Sequence, residues 1–201
     1  MKSKKRVMIK TNFSIYDNFK LGLKYLKESR KYIWFAFLIF LVFSLIGFLF
    51  PVFFEKQIIN LIKDLVDKTE GLSWFGLIGY IFLNNLKSSF FALLLGIFFG
   101  IFPLISAIVN GYVLGFVAKK TAGIEGFWVL WRLLPHGIFE IPAVMISMGL
   151  GLKLGAYFFV KDKKKKFKEW ILNSIRVFIF IIIPLLIIAA IIEGSLIHLL
   201  G

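Results

Sequence analysis

Three titratable residues stand at helical spacing in a largely apolar stretch: Arg132, His136 and Glu140. Each lies four residues from the next, which stacks all three on one face of a helix. An acid at the centre of a membrane helix costs about 2.5–3.5 kcal/mol on insertion scales, so it needs a partner, a proton or water. Three kinds of chemistry answer that need. Glu140 can serve as a proton or ion site within the bilayer. His136 and Glu140, at i and i+4, can supply two metal ligands, but no third is evident, since the other histidine, His198, lies near the far end of the chain. Or His136, Arg132 or an asparagine can hold Glu140 and lock helices together, the reading that paired intramembrane charge favours. No metal or cofactor is expected.

Two prolines frame this cluster. Pro135 suits a first helical turn, and Pro142 removes a backbone hydrogen bond seven residues later. The carbonyl so freed needs a partner within the bundle or in a wet cavity. Other polar residues interrupt apolar segments elsewhere: Asn84, Asn85, Asn110 and Lys153. Asn85, Asn110 and Glu140 are expected to converge, and Lys153 is expected to snorkel towards water. There is no cysteine, no phosphate-cradling loop, no zincin helix and no nucleophile elbow. An enzyme is therefore not expected.

These residues need elements to position them, and the composition says what kind. Hydrophobic residues make up 59% of the 201, against about 45–50% in an ordinary soluble domain. That surplus belongs in a bilayer rather than in a soluble core. Residues 32–54 carry no charge until Glu55 and can cross about 30 Å of hydrocarbon. Further spans are expected near 87–102, 104–118, 133–160 and 170–192, with Pro184 bending the last. Residues 87–118 read as a tight hairpin broken around Gly100 and Pro103. Gly96-x-x-x-Gly100 and Gly111-x-x-x-Gly115 are small-xxx-small patterns that let helix backbones approach.

Amphipathic segments flank these spans. Residues 1–31 form a basic N-terminal segment, followed by a single helical membrane domain over 32–201. Within the first, residues 13–31 place Tyr16, Phe19, Leu23 and Leu26 at helical spacing, with lysines on other faces. Such a helix lies in the headgroup region, the alternative being a helix packed on the rest of the protein. Residues 55–71 mix four acids with three lysines around an apolar face and read as a surface helix. Residues 72–85 are short for a span and read as re-entrant or surface-packed; 55–85 as a whole is therefore kept apart from the spans.

The net charge is +14, and it is concentrated. Ten of the 25 Lys and Arg residues lie in 1–31, and six more in 161–168. Basic flanks beside apolar spans mark the cytoplasmic side and contact with anionic lipid, not nucleic acid. Four crossings then separate the two basic segments, and a fifth carries the C-terminus outside. The expected fold is all-α: a polytopic protein of about five transmembrane helices in the cell membrane, N-terminus cytoplasmic.

The run Pro135-His136-Gly137-Ile-Phe-Glu140-Ile-Pro142-Ala143 precedes Gly149-Leu150-Gly151-Leu152-Lys153-Leu154-Gly155. Together with Asn84-Asn85 and Asn110-Gly111-Tyr-x-x-Gly115, it resembles the stage II sporulation protein M family. The likeness covers roughly residues 15–195. The resemblance implies a multi-span membrane protein without known catalysis, and one member that acts as a scaffold for cell-wall-degrading enzymes. The expected function is a non-catalytic scaffold or assembly partner, with a second copy or another membrane protein as partner. The alternative is a transporter or channel-like component that uses Glu140.

Overall fold

A computed structural model describes residues 14–126, 128 and 134–200. Seven α-helices are described: α1 (Ile15–Leu49), α2 (Glu55–Thr69), α3 (Trp74–Leu94), α4 (Ile101–Glu125), α5 (Leu134–Gly155), α6 (Lys163–Val177) and α7 (Ile183–Leu200). Among the described residues, five stretches are long and apolar enough to cross a membrane: Ile15–Leu49, Trp74–Ile97, Ile101–Ile124, Gly137–Phe159 and Lys163–Leu199. The chain is an all-helical, multi-span protein, as its composition predicts. Three boundaries differ from expectation, each for a local reason.

The first is at residue 31. No break separates an amphipathic segment from the first span; α1 is one helix of 35 residues, about 52 Å at 1.5 Å per residue. Ser14 caps it, its Oγ accepting from the Asp17 N–H at 3.2 Å. Gly22, Tyr25 and Ser29 are buried. Gly22 lies against Val177 of α6 and Ile181 beyond it. The helix therefore packs on the protein through a stripe of small and polar residues. The residues that suggested a lipid-facing stripe, Tyr16, Phe19 and Leu23, stay uncovered.

The second boundary concerns residues 72–85. They are neither re-entrant nor a surface piece but the first half of α3, which starts at Trp74 rather than at 87. Ser73 caps it, accepting from the Gly76 N–H at 3.3 Å. Asn84, Asn85 and Lys87 interrupt the apolar pattern but not the helix, because a helix satisfies its own backbone whatever the side chain. The chain turns where Phe99 and Gly100 both adopt positive φ, 56° and 73°. That places the hairpin where the sequence suggested, with a longer first arm.

The third is the basic run. Lys163–Lys168 is not a loop but the opening of α6. A π-helical turn, Phe178–Ile182, then joins α6 to α7 just before Pro184. Proline clashes with the carbonyl four residues back, here Phe180, and a widened turn accommodates that clash. The expected bend at Pro184 thus takes the form of a π-turn, and the last span runs from 163 to 199.

Lipid tails are as apolar as leucine, so burying apolar surface does little to pull membrane helices together; close van der Waals packing does. Glycines provide it at two seams. Along α1 and α4, a Cβ on Gly111 would strike the Phe40 carbonyl, and one on Gly115 the Ser44 carbonyl. Gly47 reciprocates from α1 against the Tyr112 carbonyl. Along α5, Gly151 meets the Ala92 carbonyl of α3, and in the turn that follows α3 Gly96 meets the Gly151 backbone and Phe99 and Gly100 meet Gly155. Gly96-x-x-x-Gly100 thus pairs in register with Gly151-x-x-x-Gly155.

Candidate functional site

Pro142 sits inside α5. Its ring nitrogen cannot donate, which frees the Ile138 carbonyl one turn earlier. Glu140 lies between the two, on the part of α5 that faces α4 and α1. Opposite it on α4, Asn110 donates through Nδ2 to the Ser106 carbonyl at 2.7 Å and to Ser106 Oγ at 3.1 Å. These local bonds hold the amide against its own helix. Asn110, Glu140 and Gly137 line one small cavity of about 140 Å³, closed on other sides by Phe40, Leu114, Ile141, Val144 and Met145. The cavity exceeds the volume of a few waters and offers them polar partners. Glu140 is itself engaged in an interaction and is not free.

The sequence-derived cluster is therefore brought together in part. Asn110 and Glu140 share a cavity. Asn85, half-buried on α3, is not among its lining residues. The Arg132 position and the His136 side chain lie outside the described residues. Lys153 is 13 residues from Glu140 along the same helix, about 20 Å away. Among the described residues, no three of His, Cys, Asp and Glu gather as metal ligands would.

Lys153 forms a second site that sequence reasoning misplaced. It does not snorkel to water: the residue is 5% exposed. Its Nζ donates to Ser29 Oγ at 2.9 Å, and that hydroxyl donates in turn to the Tyr25 carbonyl at 2.7 Å. The ammonium also stands 3.7 Å from the Tyr25 ring centroid and 5.5 Å from that of Trp170, within cation–π reach. One side chain of α5 thereby ties α1 to α6. Nearby, Arg176 of α6 donates to Asn18 Oδ1 of α1 at 2.9 Å and to Asn173 Oδ1 at 2.7 Å. Ser29 lies 124 residues from Lys153 in the chain, so no spacing rule could have paired them. The one available signal was a lone lysine in an apolar span, a position that demands a partner.

A third arrangement lies at the far end of α1. The Tyr112 hydroxyl donates to the Phe50 carbonyl and accepts from the Phe53 N–H, both at 2.9 Å. It clamps the turn that leads into α2, where Phe54 adopts a left-handed φ of 55°. Glu55, the first residue of α2, pairs with Lys120 of α4 at 2.5 Å.

Comparison with known proteins agrees with this architecture. The family described as stage II sporulation protein M matches residues 36–196. Two uncharacterized proteins of Methanocaldococcus jannaschii are similar. One is 34% identical over 58% of this chain and 56% of its own length; the other is 37% identical over 56% of this chain and 66% of its own. The chain thus spans between half and two thirds of the length of these curated relatives. No solved structure matches. With the match covering nearly all of the spans and the whole of α5, the chain belongs to the stage II sporulation protein M family.

Proposed function

We propose that this chain is a non-catalytic membrane scaffold or assembly partner, a rigid frame that presents surfaces to another membrane protein or to a second copy. The observation that carries this reading is the pair of glycine seams. Helices in backbone contact along α1–α4 and α3–α5 cannot slide or rock without breaking that contact. A frame holds its partners in place; a carrier must move. The family is not a known enzyme family, which agrees with this reading. The basic flanks at 1–31 and 161–168 favour a cytoplasmic N-terminus, with the outer side formed by α2 and the C-terminus. On this reading the polar groups of α4 and α5 lock helices, and the basic segments contact anionic lipid.

A second reading rests on the cavity beside Glu140 and Asn110, which offers a carboxylate to a proton or small cation. Glu140→Gln separates the two. Affinity purification from native membranes, with wild type and variant in parallel, identifies partners and their loss. Lost association with unchanged proton flux in liposomes supports the scaffold. Altered flux with partners retained supports transport.

A further inference from the structure

An apolar hollow lies away from the polar cluster. It is a groove of about 530 Å³ between α1, α2 and α4. Phe43 and Ile46 form one wall, Ile108 and Val109 another, and Ile58 and Leu61 of α2 the roof. We propose that this groove holds a single hydrocarbon chain of a bilayer lipid.

Four observations lead there. First, the two walls lie within stretches long and apolar enough to span a membrane, so the groove opens towards hydrocarbon. Second, Gln57 is the one polar side chain in the lining apart from the Tyr112 hydroxyl, and that hydroxyl is already spent on Phe50 and Phe53. Water inside would find too few partners to stay. Third, the volume falls in the range of about 300–1,000 Å³ typical of small-ligand sites. Fourth, the roof is built to stay: Tyr112 pins a turn whose Phe54 is held in a conformation rare for a side-chain-bearing residue. Without that clamp α2 is held less firmly, and the groove loses part of its cover.

The site therefore differs from the annular lipid around any span by its cover. A covered chain exchanges slowly and survives detergent; an annular one does not. The test is native mass spectrometry of the purified full chain after exhaustive detergent exchange, with lipid extracted and counted per protein. Wild type is expected to retain one lipid per chain. Val109→Trp fills the groove and should reduce retention at least tenfold, and Leu61→Gln, on the solvent-side roof, should reduce it as well while keeping the walls intact. Leu38→Trp, on an uncovered part of α1, should retain lipid as wild type does. The proposal is overturned if wild type carries no lipid, or if Val109→Trp and Leu61→Gln, folded by circular dichroism, both retain as much as Leu38→Trp. It is equally overturned if wild type is a lipid-free dimer that Val109→Trp converts to monomer, which assigns the groove to a second copy.

Discussion

The glycine seams and the α2 shoulder show two ways to hold a helix. In the seams, α1 meets α4, and α3 with the turn that follows it meets α5, backbone to backbone, with Gly47, Gly96, Gly111, Gly115, Gly151 and Gly155 leaving no room for a methyl group. On the shoulder, α2 buries Ile58 alone and depends on Tyr112, the Glu55–Lys120 pair and a few apolar contacts. The difference is one of tolerance. A seam fails when anything is added, because backbone cannot move aside. The shoulder yields by degrees, because its contacts are side chains over an open groove.

The largest effect should follow from adding bulk to a seam. In Gly155→Leu the new Cβ meets the Phe99 and Gly100 backbone, and no rotamer avoids a clash at Cβ. Overpacking typically costs about 1–3 kcal/mol, and backbone collisions lie at or beyond the top of that range. We expect loss of the monodisperse peak in size-exclusion chromatography, or a fall in Tm of more than about 6 °C. Gly79→Leu, where a Cβ meets nothing within 4 Å, should behave as wild type. Equal damage at both positions would mean that the seams are not what holds the bundle.

A buried charge extends the comparison to polar contacts. Ser29→Ala removes the hydroxyl that accepts from Lys153, leaving a buried ammonium one partner short. Hydrogen bonds to charged groups contribute about 1.5–3 kcal/mol, and thermal unfolding in detergent should show a loss of that order. Lys153→Met removes the charge while keeping the shape, and should be close to neutral or stabilising. In the double variant, the cost of Ser29→Ala should largely vanish. If Lys153→Met alone costs more than Ser29→Ala, the lysine has a role beyond tying α1 to α6.

How far these regions were legible in sequence follows from the same physics. Five crossings could be read because uninterrupted apolar runs leave few other options. The start of α3 could not, because Asn84-Asn85 looks like an end while costing a helix backbone nothing. The α1–α4 seam was half visible: Gly111 and Gly115 stood out by spacing, but their partners, Phe40 and Ser44, are unremarkable residues of an apolar run. Gly151 and Gly155 had the right spacing too, yet their match to Gly96 and Gly100 depends on how two distant helices align. At the polar cluster, Asn110 and Glu140 were legible as polar residues that interrupt apolar spans, although Asn110 stays exposed beside the cavity it lines. Asn85 obeyed the same logic and did not join their cavity, since position along a helix says nothing about which neighbour it faces. The Tyr112 clamp could not be read at all: nothing in a tyrosine announces that its hydroxyl will meet a turn 59 residues away.

On the shoulder, losses should be smaller and local. Tyr112→Phe deletes one hydroxyl but two hydrogen bonds, to the Phe50 carbonyl and from the Phe53 N–H. Half-buried groups left without partners cost about 1–3 kcal/mol, and the strained Phe54 backbone has less to hold it. Hydrogen exchange over residues 50–70 should speed up about tenfold, with residues 96–115 unchanged. Faster exchange across both regions would show that the clamp supports the bundle as well as α2.

The smallest effect belongs to the Glu55–Lys120 pair. Both side chains are more than 40% exposed, so water competes for each charge and salt screens what attraction remains. Lys120 also stands 5.5 Å from the Phe116 ring centroid, a contact that a neutral side chain of similar length loses only in part. Lys120→Gln should therefore lower stability by no more than about 0.5 kcal/mol, and that difference should fade between 50 mM and 500 mM salt. The combination with Tyr112→Phe is more telling than either alone. If the two contacts hold α2 independently, their effects on exchange in residues 50–70 add. If one clamp positions the other, Lys120→Gln should have no further effect once the tyrosine hydroxyl is gone, because Glu55 follows directly on the Phe53–Phe54 turn that the hydroxyl holds.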